Sequence, residues 1–310
     1  MESHCDETIY LLGRSEAETT RLNKQHRFLV AISGGELIHP SIPIEGITAV
    51  ADVGTGTGIW LADLAKRLPN APSVYMHGFD VSDAQFPPDN TIIGPQGRKI
   101  PLNVQDGLKP YPAEHLARYD IVHIRLLTAG LPQDGYATVL KNARDLLSNP
   151  PHLNPENAMV YQDKILTNIE PTGWIQWEEV DHTTFCTNKL PEHPAITKLR
   201  NATIDAMLKL GLWPFAPQRV FDEISKARFQ NVRRETYTTV GKEHLHEIAP
   251  KWVANVMRAL VPPSMVVNGQ ARNEEEGKAK VEVLIRQFEE HCEEALPLVN
   301  FGVTVAQRCD

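Results

Sequence analysis

The stretch Val50-Ala-Asp-Val-Gly-Thr-Gly-Thr-Gly-Ile-Trp60 decides the fold of this chain. Its first residues end a short apolar, β-branched run, Ile47 to Val53, which predicts a buried strand. Alternating glycines follow at once, and an amphipathic pattern from Leu61 to Leu68 then predicts a helix. This order is typical of an α/β sheet that binds a nucleotide-like ligand, because glycine lets the backbone approach the ligand closely and take positive φ.

The spacing of the glycines distinguishes between ligand classes. A dinucleotide site needs G-x-G-x-x-G, but Ile59 or Leu61 stands where the last glycine should be, and no lysine completes a P-loop. NAD, ATP and GTP are therefore disfavoured, while a tight turn without any ligand remains an alternative. The pattern resembles the first motif of class I S-adenosylmethionine (SAM) methyltransferases. The resemblance implies that the cofactor is bound by Asp52, Gly54, Thr55, Gly56 and Gly58.

Composition narrows the possible partners and the cellular location. The chain has 310 residues, 42% of them hydrophobic, and a net charge of -8, which argues against nucleic acid as the main partner. The four cysteines form no C-x-x-C pair, so we expect neither a metal site nor a disulfide framework. Because no signal-like or membrane-spanning apolar run is present, we expect a cytoplasmic protein that does not associate with membranes.

Residues 1–46 precede the glycine motif and are predicted to form an N-terminal lid. A capping-box pattern predicts a helix over residues 15–33. His26 is the polar exception on the apolar stripe of this helix, and it is either a hydrogen-bonded core residue or part of a lid that points Tyr10, Arg14 and His26 at the ligand. Arg14 could bind the carboxylate of SAM, or it could be a solvated surface residue.

A second strand is predicted over residues 73–81, with Asp80 and Val81 at its end. An acid in this position accepts hydrogen bonds from ribose hydroxyls in dinucleotide folds, so Asp80 is the strongest single candidate for a cofactor contact. A turn or helix N-cap role is the alternative, and Asp83 is close enough to substitute for Asp80.

The third predicted strand ends in Gln105-Asp106-Gly107, after a proline-rich and polar segment over residues 84–102. In the resembled family the acid at this place meets the adenine amino group, so the resemblance implies that Gln105, Asp106 and Gly107 flank the base. An Asp-Gly turn without a ligand would look the same.

The fourth strand is predicted over residues 118–127. Ligands of open α/β sheets lie beyond the carboxyl ends of the strands, so Arg125 should be near the reacting methyl group, whereas Asp120 should be structural. Residues 148–172, rich in proline, are predicted to form a surface insertion at the opposite edge.

The fifth strand, predicted over residues 173–180, brings acids and a histidine to the same edge. Glu178 and Glu179 close the strand and His182 follows it, which places them for proton transfer. His182 is the better candidate base because an imidazole titrates near neutral pH, with Glu179 and His26 as further catalytic candidates. The acids could equally be solvated or paired with lysines.

Beyond residue 185 the periodicity predicts cap helices over about 186–215 and 242–296, inserted in a core that spans 47–310. The aromatic residues at 213–215 either line a pocket for a flat apolar substrate or pack in the core. A seventh strand, 298–307, closes the sheet. Because cap helices often pair subunits, a homodimer is possible.

Several motifs lie along the chain besides the glycine motif: Tyr10-x-x-Gly13-Arg14, Arg21-Leu22-x-x-Gln25-His26, His39-Pro40-x-Ile42-Pro43 and Trp177-Glu178-Glu179. Together they resemble the fungal class I methyltransferases of secondary-metabolite clusters, a group that includes the N-methyltransferase of the gliotoxin pathway. The resemblance implies an α/β, Rossmann-like, seven-stranded sheet with its last strand antiparallel, and SAM as cofactor. It further implies methyl transfer to an oxygen or nitrogen atom of a small natural product, which we expect to be apolar or aromatic.

Two other functions remain open at the level of sequence. A methyltransferase-fold cyclase could bind SAM without consuming its methyl group, since it would need the same cofactor groove. A methyltransferase-like regulator of secondary metabolism could also carry these motifs, although the chain lacks a basic localisation segment.

Overall fold

The computed structural model describes residues 16–68, 71–148 and 173–309. Tyr10, Arg14 and almost all of the predicted insertion over 148–172 lie outside the described residues. The α-helices of the described part are α1 (Glu16–Ile32), α2 (Ile59–Arg67), α3 (Gly135–Leu146), α4 (Pro194–Lys209), α5 (Ala216–Lys226), α6 (Ala249–Val267) and α7 (Glu274–His291). The strands are β1 (Ala49–Val53), β2 (Tyr75–Asp80), β3 (Thr91–Ile93), β4 (Lys99–Val104), β5 (Ile121–Arg125), β6 (Trp174–Val180), β7 (Cys186–Thr187), β8 (Phe229–Thr238), β9 (Pro297–Leu298) and β10 (Asn300–Arg308).

One large mixed sheet forms the centre of the molecule. Its strand order is β3-β4-β2-β1-β5-β6-β10-β8. Strands β4, β2, β1, β5 and β6 are parallel, and β10 runs antiparallel to both β6 and β8. The order reverses at β1, which pairs with β2 on one side and β5 on the other. In open α/β sheets a crevice forms beyond the carboxyl ends of the strands at such a reversal. We therefore expect the ligand site at the carboxyl end of β1.

The predicted α/β sheet with an antiparallel last strand is confirmed, but the predicted strand number is wrong by one. The sheet has eight strands among the described residues, because β3, in the proline-rich and polar segment over residues 84–102, pairs antiparallel with β4. Ile92 of β3 lies opposite Ile100 and is buried. A run of only three residues, Thr91–Ile93, is too short to show strand periodicity, so its pairing depends on the neighbouring strand.

Helices cover the sheet on both faces. On one face α1, α2 and the cap helix α6 pack in a core that includes Leu29, Leu61 and Val253, and on the other α3 and α5 pack over Ile124 and Trp177. In the cap, α4, α6 and α7 contact one another, and the short β7–β9 ribbon lies beside them. Within the three described ranges, no helix combines the length and the apolar character needed to cross a bilayer.

Candidate functional site

The glycine turn after β1 has the backbone conformation that its sequence predicts. Gly54, Gly56 and Gly58 take φ values of 72°, 53° and 71°, which side chains rarely adopt. A Cβ on Gly54 would lie 2.6 Å from Leu127 Cδ2, and a Cβ on Gly56 would lie 3.5 Å from Leu22 Cδ1. The turn therefore packs closely against Leu127 and against Leu22 of α1, and the positive φ values favour glycine at all three positions.

A cavity of about 380 Å³ lies at the carboxyl ends of the central strands. One end is formed by the glycine turn, Asp80 and Asp106, and the other is lined by apolar residues of the cap such as Trp252 and Met257. Most of the predicted site residues meet in its wall, although they come from five separate segments of the chain. Those residues are Gly54, Thr55, Gly56, Asp80, Val81, Gln105, Asp106, Gly107, Arg125 and His182.

Asp80 lies at the end of β2 and is held against the glycine turn. Its Oδ2 accepts a hydrogen bond from the Gly56 amide at 2.8 Å, and its Oδ1 accepts one from the Ser82 amide at 3.2 Å. Burial raises the pKa of Asp80 above its ordinary value, and the nearby charge of Asp52 adds to this effect. Because a carboxylate has further lone pairs, Asp80 can accept hydrogen bonds from a ligand while it fixes the turn.

The Asp106 loop closes the same end of the cavity. Asp106 Oδ1 accepts a hydrogen bond from the Leu108 amide at 2.9 Å, which fixes the carboxylate in a turn. Gln105 donates its side-chain amide to the Asp106 carbonyl at 3.0 Å, and its backbone amide donates to the Asp80 carbonyl at 2.7 Å. The two acids therefore belong to one hydrogen-bonded edge.

Asp52 and Gly58, both predicted to bind cofactor, lie outside the cavity wall. Asp52 is buried beneath the turn, where its Oδ2 accepts a hydrogen bond from Thr55 Oγ1 at 2.7 Å. Gly58 faces the side chain of Ile92 in β3. Asp52 supports the turn from below, and Gly58 permits the extra strand to pack closely.

His123 is a buried residue that the sequence argument did not single out. It is fully buried, its Nδ1 lies 2.7 Å from Asp52 Oδ1, and its Nε2 lies 3.4 Å from Glu178 Oε2. The ring stacks in parallel on Trp60, with centroids 3.8 Å apart. Burial alone would lower the pKa of His123, but the charge of Glu178 and the bonds to both acids outweigh it and raise this pKa.

The charged network continues from Glu178 to α1. Arg125 Nη1 lies 3.9 Å from Glu178 Oε2, and Arg125 Nη2 donates to His26 Nδ1 at 3.1 Å. His26 Nε2 then donates to Asp63 Oδ2 at 3.2 Å, so the neutral imidazole carries its proton on Nε2. Burial, with the charge of Arg125, lowers the pKa of His26 to about 4. His26 therefore lies behind the cavity wall, where it connects α1 to α2 and to Arg125.

Glu179 also lies behind the wall, on the opposite face of β6 from Glu178. Its Oε1 accepts hydrogen bonds from Trp177 Nε1 and from the Leu127 amide, both at 3.0 Å. Burial raises the pKa of Glu179 to about 8 despite these bonds, so the group is protonated at neutral pH. The carboxyl group supports the turn after β5, where Leu126 takes a positive φ of 58°.

His182 is the predicted catalytic residue that does reach the cavity. It stands on a short helical turn directly after β6, and the Asp181 side chain caps that turn by accepting a hydrogen bond from the Thr183 amide at 2.9 Å. Burial lowers the pKa of His182 to about 4, although the Asp181 charge opposes this. The imidazole is therefore neutral near pH 7, and the expectation that it titrates there is wrong.

One face of α1 forms a further part of the cavity wall. Three of its residues belong to the motif Arg21-Leu22-x-x-Gln25-His26, but the sequence did not predict that they line the site. Arg21, Leu22 and Gln25 line the cavity together with Glu18. Their positions recur every three or four residues, which places them on one helix face. This spacing could have identified them from the sequence as residues of one face, because the exposed residues of the helix lie at other positions.

The sheet order, the glycine turn at the strand reversal and the acids after β2 and β4 define the class I SAM-dependent methyltransferase fold. The cavity fits this cofactor, because a glycine backbone with positive φ forms one wall and two carboxylates fixed by backbone amides, Asp80 and Asp106, lie at the same end.

Comparison with known proteins confirms the resemblance predicted from the motifs to the fungal group that includes the gliotoxin-pathway N-methyltransferase. No family model matches the chain. It is 36% identical over 183 residues to methyltransferase grgD of a Penicillium species, covering 56% of this chain and 53% of that protein. It is 30% identical over 140 residues to N-methyltransferase sirN of Leptosphaeria maculans, with 45% and 46% covered. It is 27% identical over 205 residues to N-methyltransferase gliN of Aspergillus fumigatus, with 65% and 61% covered.

The matched region is shorter than these relatives. The alignments with grgD and sirN span about half of the length of those proteins. The similarity therefore supports the assignment to the methyltransferase class. The activity and the substrate of the whole chain are proposed below.

Proposed function

We propose that this protein is a SAM-dependent methyltransferase that moves a methyl group to an oxygen or nitrogen atom of a small natural product. The observation that carries the proposal is the continuity of the cavity, which joins the glycine turn and its acids to an apolar chamber under the cap. A methyl transfer needs both reactants in one enclosed space. The names of grgD, sirN and gliN support the same reaction class.

Bound SAM would supply a methyl group on a positively charged sulfur. On the protein side, Asp80 would accept hydrogen bonds from ribose hydroxyls and Asp106 would accept one from the adenine amino group. Asp52 lies below the glycine turn and stabilises its conformation by accepting a hydrogen bond from Thr55 Oγ1. These fixed positions favour transfer because alignment of nucleophile, methyl and sulfur supplies much of the acceleration.

The cap end of the cavity favours an acceptor with an apolar or aromatic body. Phe185, Trp252, Val256 and Met257 line this end, and Trp252 is fixed by stacking on Phe28 with ring centroids 4.3 Å apart. Apolar walls exclude water and bind flat, uncharged surfaces by burial. A charged acceptor would lose its hydration here without gaining an oppositely charged partner among these side chains.

His182 is our candidate for the residue that orients the acceptor. With a pKa of about 4 it is neutral at physiological pH, so its free ring nitrogen can accept a hydrogen bond from an N–H or O–H group. A base this weak would accept the acceptor's proton only as the methyl group arrives. We therefore expect the rate to show no histidine titration near pH 6.5, the pKa of an ordinary imidazole.

The test is turnover with purified protein, SAM carrying a labelled methyl group, and a panel of neutral aromatic and charged small molecules. The proposal predicts S-adenosylhomocysteine together with a labelled product from a neutral apolar acceptor. Met257→Trp should abolish turnover while leaving cofactor affinity unchanged, because it fills only the cap end. Product formed without S-adenosylhomocysteine would indicate a cyclase, and a bound protein partner with no turnover would indicate a regulator.

We also propose a cytoplasmic homodimer that pairs through the cap. Leu208 on α4 and Val283 on α7 are large apolar side chains exposed to solvent, and a subunit contact that covered them would remove apolar surface from water. The net charge of -8 disfavours nucleic acid as a partner. Light scattering that gives the mass of a single chain would contradict the dimer, and cell fractionation tests the location.

A further inference from the structure

Helix α1 presents a ladder of polar side chains to the cavity. Arg21 donates to both oxygens of Glu18, with Nε at 2.7 Å and Nη2 at 2.6 Å, and its Nη1 donates to Gln25 Oε1 at 2.6 Å. Only 10% of the Arg21 side chain and 7% of the Glu18 side chain are exposed. Burying an ion pair costs desolvation energy, which can exceed the attraction between the charges. A gain in stability therefore does not by itself explain why this pair lies in a ligand cavity.

The ladder lies beside the glycine turn because α1 is docked there. Thr57 Oγ1 donates a hydrogen bond to Asn23 Oδ1 at 2.8 Å, and Leu22 packs over Gly56. Asn23 and Leu22 are in the same helical turn as Arg21. The pair therefore faces the part of the cavity next to Gly54 and Gly56.

The pair has hydrogen-bonding capacity left for a ligand. A guanidinium has five N–H groups, and those on Nη1 and Nη2 that do not bond to Gln25 and Glu18 remain available. Each oxygen of the Glu18 carboxylate also keeps a lone pair. A cation and an anion held side by side are complementary to a zwitterion that carries a carboxylate and an ammonium on one carbon.

We propose that Arg21 and Glu18 form a clamp for the amino-acid end of the cofactor, with Arg21 binding the α-carboxylate and Glu18 the α-ammonium. This inference rests on the proposed function, since it assumes that SAM occupies the cavity. Arg125 also lines the cavity and is the competing cation; it donates to His26 and lies 3.9 Å from Glu178, so the variants below compare it directly with Arg21. Arg14, which the sequence suggested for the same carboxylate, lies outside the described residues. The clamp places cofactor recognition partly on α1, outside the sheet.

Calorimetry with two ligands tests the clamp. The ligands are S-adenosylhomocysteine and its decarboxylated analogue, which differ only in the carboxylate. In the unmodified protein the analogue should bind about 10- to 100-fold more weakly, the loss expected for charge-assisted hydrogen bonds. In Arg21→Met the two ligands should bind equally, within about threefold, because the partner of the carboxylate is gone.

The matched control is Arg27→Met, which makes the same substitution at an exposed position of α1 and should keep the full difference between the ligands. If Arg21→Met does not fold, Arg21→Gln, which can still hydrogen-bond Glu18, gives the same comparison. Glu18→Gln should weaken S-adenosylhomocysteine but not an analogue that lacks the ammonium.

The outcomes separate this inference from the proposed function. If the unmodified protein binds neither ligand, the proposed function fails and the clamp fails with it. If the protein binds both ligands equally, or if Arg21→Met still discriminates between them, the clamp is wrong while cofactor binding stands. Loss of discrimination in Arg125→Met but not in Arg21→Met would assign the carboxylate to Arg125 and would also overturn the clamp.

Discussion

His123 Nδ1 lies 2.7 Å from Asp52 Oδ1, and this pair joins the floor of the glycine turn to the neighbouring strand β5. Glu178 on β6 lies on the other side of the same imidazole. Three adjacent strands thus meet at one buried imidazole that lies between two buried carboxylates. Because Asp52 also holds Thr55, the shape of the cofactor edge depends on charges that never contact the cavity.

Replacing His123 should strongly destabilise the fold. His123→Asn would leave Asp52 and Glu178 buried without the imidazole that lies between them, so the free energy of unfolding should fall by about 3–5 kcal/mol. Urea denaturation at neutral pH measures this loss. His246→Asn, at an exposed position, should change the free energy of unfolding by less than about 0.5 kcal/mol. A loss below about 1 kcal/mol for His123→Asn would contradict the role assigned to the network.

His77 should contribute to acid destabilisation. Burial, with the charge of His115, lowers its pKa from 6.5 to about 4 in the folded protein. Between these values the unfolded state binds more protons, so stability is lost as the pH falls from 6.5 toward 4. His77→Phe should reduce the slope of unfolding free energy against pH by at most about 1.4 kcal/mol per pH unit. Guanidinium denaturation of both proteins at several pH values within this pH range measures the two slopes. An unchanged slope in His77→Phe would contradict the lowered pKa of His77.

Glu179 should tolerate conversion to its neutral isostere. Its pKa of about 8 keeps it protonated at neutral pH, where it accepts hydrogen bonds from Trp177 and Leu127. Glu179→Gln should therefore keep turnover within about threefold, whereas Glu179→Ala should lose the support of the turn after β5 and destabilise by about 1–3 kcal/mol. Steady-state kinetics and thermal melts measure both. A drop of about 100-fold or more in Glu179→Gln at full stability would instead indicate a catalytic base.

Asp80 should dominate cofactor affinity among the acids near β2. Asp80→Ala removes the acceptor for the Gly56 amide and, in the proposed site, the acceptor for the ribose hydroxyls, so S-adenosylhomocysteine should bind about 100-fold more weakly. Asp83→Ala is the matched control, because Asp83 is exposed and is absent from the cavity wall. Calorimetry compares them, and equal affinities for the two variants would remove Asp80 from the proposed site.

Much of the cofactor edge could be predicted from sequence. The turn at Gly54 and Gly56 is specified locally, because both residues take a positive φ that favours glycine. Asp80 and Asp106 could be located because each follows a recognisable strand, and parallel strands bring their carboxyl ends to one edge. The strand at Thr91–Ile93 could not be predicted, since so short a run forms only by pairing with β4.

The sequence by itself determined the strand, glycine turn and helix around residues 50–60, since those requirements act between near neighbours in the chain. Only the tertiary structure decided which polar residues face the cavity. Glu178 and Glu179 are adjacent, yet a strand turns them to opposite faces, one toward His123 and one toward Leu127. Desolvation then lowered the pKa of His182 and raised that of Glu179. Burial depends on every element packed around a group, and no local pattern of residues records it.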